Sequence, residues 1–263
     1  MTLNRSNYSL THDETQVGNN VAIIQARMSS TRLPGKVLKD IQGIPMLAWV
    51  VERTRLARRL DGVVVATTTD PSDDDIEAYC RQQGYPVTRG SLNDVLDRYY
   101  QAARQVNASV IVRLTADCPF MDAGLIDAML AEFSGSSLDF MADRLPPPWK
   151  RTFPIGLDIE IVTFQALERA WKEAKEPFER EHVMPYFYDQ EGRFRIRVID
   201  HTPDYGHLRW TVDTAEDLEA IRRIAAQFSP RMDFSWEEVL ALVENQPALS
   251  QINAAVHHKH LKE

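Results

Sequence analysis

The sequence has few of the features that mark secreted, membrane-spanning or nucleic-acid-binding proteins. Its 263 residues include only two cysteines, Cys80 and Cys118, so they cannot build a disulfide framework. No apolar run approaches the ~20 residues that a membrane-spanning helix needs, and no apolar leader segment precedes the first strand pattern. The formal net charge of −8 argues against a general nucleic-acid-binding or membrane-binding surface. We therefore expect a cytoplasmic protein with no nucleic-acid partner and no membrane partner.

Patterns typical of buried strands alternate with helical patterns along the first half of the chain. Apolar runs cover residues 21–24, 63–66 and 110–114, and a segment with helical spacing of its apolar residues follows each run. Repeated strand–helix units predict an α/β fold with a mostly parallel central sheet and helices on both faces. We predict a flexible N-terminal tail at residues 1–20 and a single domain at 21–263, divided into halves at 21–140 and 141–263.

The second half alternates less regularly. Strand patterns cover residues 157–162, 194–199 and 207–212, and a helix is expected at 164–174. Thr214 and Asp217 form a pattern like a capping box, which predicts that another helix begins there.

A basic loop, residues 25–36, follows the first predicted strand. Arg27, Arg32 and Lys36 lie there among small residues with hydroxyl groups, and Pro34-Gly35 permits close backbone approach. Open α/β sheets bind ligands at the carboxyl ends of their strands, where this loop is expected. Its composition suits a polyphosphate, although a solvated basic loop is the alternative interpretation.

Two aspartates, Asp117 and Asp213, come directly after predicted strands. Because strand ends converge on one cleft in such a sheet, the two carboxylates could meet despite their separation in sequence. Mg²⁺ commonly takes a few carboxylates and otherwise water and phosphate oxygens. The alternative is a structural role, with Asp213 in the first turn of a helix and Asp117 in a turn before Pro119.

Four segments resemble a known family. Residues 25–36 resemble the first signature of the nucleotidyltransferases that activate sugar acids with CTP. Residues 212–218 resemble the Val-Asp-Thr-Pro-Glu-Asp-Leu segment of those enzymes, with Ala215 in place of the proline. Residues 156–160 and 180–186 resemble the spore-coat polysaccharide biosynthesis protein F family. The chain is thus similar to that family and to the 3-deoxy-manno-octulosonate (CMP-KDO) cytidylyltransferases, which implies a nucleotide-diphospho-sugar transferase (GT-A-like) fold.

The resemblance also implies an activity and site residues. The expected enzyme transfers CMP from CTP to a sugar-acid acceptor in a Mg²⁺-dependent reaction that releases pyrophosphate, serves polysaccharide or glycan biosynthesis, and forms a homodimer. Residues 21–140 would bind the nucleotide and residues 141–263 the acceptor. Arg27 and Lys36 would be catalytic, and Asp117 and Asp213 would hold Mg²⁺. The expected nucleotide-binding residues are Gln25, Ala26, Ser30, Arg32, Thr67, Thr68, Arg89, Gly90 and Arg98. The expected acceptor-binding residues are Asp158, Glu160, Arg180 and His182.

Alternatives remain open at this stage. A phosphorylated or phosphonate acceptor could meet Arg180 or Arg151. A GT-A-like glycosyltransferase using a nucleotide-sugar would usually show an Asp-x-Asp motif, where this chain has Thr115-Ala116-Asp117. A catalytically silent binding module is disfavoured, since the catalytic and metal-binding side chains are all present. Asp158 and Glu160 could also belong to an exposed strand face, and His182 could be structural.

Overall fold

The computed structural model describes residues 19–145 and 151–257. Nearly all of the predicted tail at 1–20 lies outside the described residues, whereas Asn20 already belongs to the first strand.

Seven strands form one sheet that includes segments from both halves of the chain. The described residues contain nine strands in all: β1 (Asn20–Gln25), β2 (Asp40–Ile41), β3 (Ile44–Pro45), β4 (Gly62–Thr68), β5 (Val87–Gly90), β6 (Val110–Thr115), β7 (Phe140–Ala142), β8 (Glu160–Thr163) and β9 (Ile196–Val198). The sheet order is β5-β4-β1-β6-β8-β7-β9, and β2 pairs with β3 in a separate hairpin. β8 is antiparallel to both of its neighbours, and the other sheet pairs are parallel. The predicted mostly parallel sheet is confirmed.

Helices connect these strands and complete the chain. They are α1 (Met46–Arg55), α2 (Asp74–Gln83), α3 (Val95–Gln105), α4 (Ala123–Ser134), α5 (Phe164–Glu173), α6 (Pro177–His182), α7 (Pro185–Tyr188), α8 (Ala215–Phe228), α9 (Trp236–Asn245) and α10 (Ala248–Gln251). Short 3-10 helices cover Lys36–Leu38 and Pro71–Asp73. Among the described residues, no helix is both long enough and apolar enough to cross a lipid bilayer.

The sheet separates two hydrophobic cores. Ala22 and Ile24 of β1 pack with residues of α1, α2, α4, α8 and α9, whereas Val21 and Ile23 pack with residues of α3, α5 and α7. Successive side chains of a strand point to opposite faces, so each face of β1 supplies one core. The prediction of helices on both faces is therefore confirmed.

The prediction of a strand at 207–212 is wrong, although much of this segment is buried, as a core strand would be. Within this segment, only Arg209 forms a β-bridge, to Ile155, and no ladder extends from it. Trp210 and Val212 are nevertheless buried. Arg209 and Thr211 are buried as well, and a short buried segment can resemble a buried strand in sequence even where the backbone pairs at a single point. Likewise β8 begins at Glu160 rather than at residue 157.

Candidate active site

A cavity of about 270 Å³ opens at the carboxyl ends of β1 and β6. Twelve residues line it: Gln25, Arg27, Ser29, Ser30, Thr31, Arg32, Lys36, Val37, Thr115, Ala116, Asp117 and Asp213. The basic loop and both predicted metal-binding aspartates thus face one space.

The backbone of the basic loop folds around Met28. The Met28 carbonyl accepts hydrogen bonds from the amides of Ser30 (2.9 Å) and Gly35 (3.0 Å). Gly35 has φ of +68°, a conformation that side-chain-bearing residues rarely adopt, and the 3-10 helix starts immediately after it. This turn carries Lys36 inward, leaving the residue 8% exposed.

Asp73 anchors the loop to the sheet. Its carboxylate accepts a hydrogen bond from the Met28 amide (2.7 Å) and another from the Thr68 hydroxyl at the end of β4. Asp73 is not among the residues predicted above, so this anchoring contact was missed. Its side chain is buried, with the residue 1% exposed, as is rare for an aspartate without such partners, and that burial cannot be predicted from the local sequence.

Lys36 joins the two predicted metal-binding aspartates. Its ammonium Nζ lies 2.7 Å from Asp117 Oδ2 and 2.8 Å from Asp213 Oδ1. It also donates to the carbonyl of Val212 at 2.8 Å. Three oxygens from two distant parts of the chain therefore converge on a single cationic atom.

The electrostatics follow from this convergence. Burial is the largest influence on the pKa of Lys36 and lowers it, but the charges and hydrogen bonds of Asp117 and Asp213 together raise it above its ordinary value. Burial would raise the pKa of Asp213, but Lys36 and Arg32, with a hydrogen bond from Arg209, lower it to about 2. Lys36 is therefore charged, and so is Asp213, throughout the neutral pH range.

The arginines of the loop differ in their partners. Arg32 pairs with Asp213 Oδ2 at 2.9 Å. Arg27 lines the cavity as an exposed residue, and the described residues offer it no ion pair. A guanidinium without a carboxylate partner at a cavity wall can bind an incoming anion.

The remaining predicted nucleotide-binding residues are distributed around β1, β4 and β5. Gln25 lines the cavity, and Ala26 donates its amide to the carbonyl of Ala66 at 3.2 Å. Thr67 and Thr68 are fully buried within β4. Among the described residues, no group pairs with the Thr67 hydroxyl.

Arg89, Gly90 and Arg98 do not line the cavity. Ion pairs with Asp74 (2.7 Å) and Glu77 (2.6 Å) hold Arg89. Gly90 approaches Arg98 closely, since an added Cβ would lie 3.2 Å from Arg98 Cγ. Arg98 is 1% exposed and donates from Nη1 to the carbonyl of Ser91 (2.8 Å), while its Nε and Nη2 have no partner among the described residues.

Asp158 and Glu160 belong to a buried ion-pair network rather than to an exposed strand face. Glu160, 4% exposed, pairs with Arg113 of β6. Asp158 pairs with Arg144 (3.0 Å) and with Arg151, whose second contact measures 3.3 Å. These arginines neutralise both carboxylates, so an acceptor would meet a surface of balanced charge.

Arg180 and His182 lie outside the cavity lining. Arg180 binds both oxygens of Asp94 from Nε (3.0 Å) and donates to the Trp171 carbonyl (2.7 Å). Asp94 also caps α3 through the amide of Asp97, so Arg180 has a structural partner. The His182 ring contacts Phe178 with centroids 4.7 Å apart, and burial lowers the pKa of this histidine.

The aspartates have the donor chemistry of a Mg²⁺ site. Two carboxylate oxygens and the Val212 carbonyl already surround the Lys36 ammonium. Within residues 19–145 and 151–257, no group of three acidic, histidine or cysteine side chains could hold a metal. A site of two carboxylates completed by phosphates and water fits Mg²⁺, which retains several such ligands.

Comparisons with known proteins identify the family of this chain. The family model described as cytidylyltransferase matches residues 21–257. The spore coat polysaccharide biosynthesis protein SpsF of Bacillus subtilis strain 168 is 37% identical over 236 residues, covering 86% of this chain and 94% of that protein. A 3-deoxy-manno-octulosonate cytidylyltransferase of Anaeromyxobacter dehalogenans strain 2CP-C is 29% identical over 240 residues, covering 78% of this chain and 96% of that protein.

A solved structure supports the same relationship. The cytidylyltransferase from Leptospira borgpetersenii serovar Hardjo-bovis strain JB197 is 33% identical and superposes with a TM-score of 0.84, covering 92% of this chain and all of that chain. The predicted nucleotidyltransferase fold is therefore confirmed. This chain belongs to the cytidylyltransferase family and is a CTP-dependent nucleotidyltransferase.

Proposed function

We propose that this enzyme transfers CMP from CTP to a sugar acid, with Mg²⁺ as cofactor, in polysaccharide or glycan biosynthesis. The observation that carries the proposal is the convergence of Lys36, Asp117 and Asp213 at a cavity bordered by Arg27 and Arg32. Cations and metal-binding carboxylates at one point suit a polyphosphate substrate better than a neutral one.

In the proposed reaction an acceptor oxygen attacks the α-phosphorus of CTP. A P–O bond forms to the acceptor, which releases its proton to solvent, while the bond between the α-phosphorus and the bridging oxygen breaks and pyrophosphate leaves with the electron pair. Arg27, Arg32 and Ser30 would bind the phosphates, and Lys36 would stabilise charge that develops at the α-phosphate. Mg²⁺, when bound by Asp117 and Asp213, would neutralise phosphate charge.

The names of two relatives, rather than the residues that line the cavity, support a sugar acid as the acceptor. One relative is named for 3-deoxy-manno-octulosonate, a sugar acid, and another for spore coat polysaccharide biosynthesis. Asp158 and Glu160, beside β6, are the proposed acceptor-binding carboxylates. Arg180 is the weakest of the four acceptor candidates, because Asp94 already occupies its guanidinium.

Nucleotide selectivity tests the proposal directly. The melting temperature is measured with CTP, UTP, ATP and GTP, each with and without Mg²⁺, and pyrophosphate release is then followed over a panel of sugar acids. A ligand at 100 times its Kd adds about 2.7 kcal/mol of stability, so we expect a Mg²⁺-dependent shift selective for CTP. A shift with UDP-sugars and none with CTP would instead indicate a glycosyltransferase.

A pair of lysine variants tests the site. Lys36→Met should lower kcat for pyrophosphate release by about 10²–10³-fold, the usual cost of removing a group that stabilises charge in the transition state. Lys39→Met is the control, because Lys39 follows the same turn but does not line the cavity. Equal turnover of the two variants would remove Lys36 from the mechanism.

A further inference from the structure

Arg209 lies behind Asp213, on the side away from the cavity. It does not line the cavity and is 8% exposed. Its Nη2 donates to Asp213 Oδ2 at 2.7 Å, while Asp213 Oδ1 accepts a hydrogen bond from the Lys36 ammonium, which also binds Asp117. Arg209 therefore holds one oxygen of this carboxylate and leaves the other directed toward the reacting groups.

Asp217 holds Arg209 in turn. Its side chain is completely buried and receives Nε of Arg209 at 2.8 Å and Nη2 at 3.1 Å. It also accepts the backbone amides of Asp213 (2.9 Å) and Thr214 (3.1 Å). The Asp217 carboxylate thus fixes both the backbone and, through Arg209, the side chain of Asp213.

Asn253 completes this arrangement from the C-terminal part of the described chain. Its amide Nδ2 donates to Asp217 Oδ1 (2.8 Å) and to the carbonyl of Arg209 (3.1 Å). A helix cap alone would need only the two backbone amides. Arg209 and Asn253 bind Asp217 in addition to those amides, and their contacts fix the orientation of the Asp213 carboxylate.

Arg32 also contacts Asp213 Oδ2, but in a different way. Its side chain is 28% exposed and belongs to the basic loop, whose cations are available to phosphate. Arg209 has no comparable exposure, with 6% of its side chain accessible. If Arg32 binds a nucleotide phosphate, as proposed above, Arg209 remains as the partner of that oxygen.

We propose that Arg209, held by Asp217, is a positioning residue that presents Asp213 Oδ1 to the divalent cation. This inference rests on the metal-binding role proposed for Asp213. Partners that orient a metal-ligating carboxylate commonly change metal affinity by about 10–100-fold when they are removed. The expected effect therefore appears in cation binding, before any chemistry occurs.

The test measures Mn²⁺ binding by electron paramagnetic resonance in the presence of a CTP analogue with a methylene between the α- and β-phosphates. Arg209→Lys keeps the charge but loses the planar fork, and Asp217→Asn keeps the shape but loses the charge that anchors Arg209. Each should weaken Mn²⁺ binding about 10-fold while the KM for CTP at saturating metal changes less. Arg223→Lys on the exposed side of α8, where Arg223 pairs with Glu219, is the matched control and should bind Mn²⁺ normally.

The possible outcomes separate the two proposals. Absence of Mn²⁺ binding by the unmodified enzyme would refute the metal site itself, and this inference with it. Normal Mn²⁺ binding by the enzyme and equally by Arg209→Lys and Asp217→Asn would overturn the positioning role alone. A lower melting temperature with unchanged Mn²⁺ affinity, or loss of cooperative melting in both variants, would show that Arg209 serves only folding.

Discussion

At the scale of single residues, burial decides which charges the protein can hold. Asp143 is 1% exposed and accepts a hydrogen bond from the Ile159 amide at 3.0 Å. Burial, and then the neighbouring charge of Asp158, raise the pKa of Asp143 to about 8, although Arg151 and Arg144 oppose them. The carboxyl group beside the proposed acceptor-binding carboxylates is thus neutral at pH 7.

Asp143→Asn should change how stability depends on pH. The unfolded carboxyl titrates near pH ~4, so between there and about pH 8 the folded state keeps a proton that the unfolded chain has lost. The stabilising contribution of this group is complete below the unfolded pKa and is lost as pH rises through the folded pKa. Asparagine cannot ionise, so the variant should gain stability relative to the parent by a few kcal/mol from about pH 5 to about pH 8.

Urea unfolding at several pH values measures that gain. Asp139→Asn is the control, because the pKa of Asp139 is lowered, chiefly by its hydrogen bond from Arg195. Asp139 is therefore ionised in both states throughout this range, and its removal should change stability by a constant amount. A constant difference for Asp143→Asn as well would contradict a neutral Asp143.

At the scale of elements, the segment 209–212 brings Asp213 to Asp117 without belonging to the sheet. The Val212 amide donates to the Asp117 carbonyl at 2.8 Å, and the Trp210 amide donates to the Ile155 carbonyl at 2.6 Å. Gly156 makes this packing possible. It has φ of +109°, and an added Cβ would lie 2.6 Å from both the Thr211 nitrogen and the Trp210 carbonyl carbon.

Gly156→Ala should therefore displace the segment that carries Asp213. The backbone conformation alone costs about 1–3 kcal/mol for a residue with a side chain, and the clash adds to it. We expect a lower melting temperature together with a higher Mg²⁺ requirement for turnover. Gly192→Ala is the matched control, since Gly192 has φ of +77° but no atom of the described residues lies within 4 Å of an added Cβ. Identical losses in both variants would show that the close approach is unimportant.

At the scale of the whole molecule, the protein is acidic, but the cavity proposed to bind the nucleotide is lined by more cationic than anionic side chains. The net charge is −8, yet Arg27, Arg32 and Lys36 outnumber Asp117 and Asp213 among the charged residues that line the cavity. Local fields of this kind attract charged substrates and are screened by salt.

The kcat/KM for CTP should consequently fall several-fold as NaCl rises from about 20 to about 200 mM at constant Mg²⁺. Steady-state kinetics at each salt concentration measure it, and the melting temperature of the free enzyme serves as the control for stability. A kcat/KM independent of salt would show that the loop cations do not attract the nucleotide.

The fold and most of the residues around the cavity could be predicted from the sequence. Alternation of buried strands and helices is imposed by short-range periodicity, so the mostly parallel sheet was predictable. The basic loop was equally predictable, because its cations and its turn residues are contiguous in the chain. The approach of Asp117 to Asp213 followed from the rule that strand ends converge, although the second aspartate arrives on an irregular segment.

The tertiary structure alone decided which charged side chains have partners. Asp73, Arg209 and Asp217 hold the site on the side away from the cavity. The capping box of Thr214 and Asp217 was predictable from the sequence, but the contact of Asp73 with the Met28 amide and the bonds of Arg209 to Asp213 and Asp217 were not. Arg180 was expected to bind the acceptor, but its guanidinium is paired with Asp94, which lies 86 positions earlier in the chain. Periodicity reports which side of an element is buried, but the pairing of charges depends on distances between elements, and only the folded chain sets those distances.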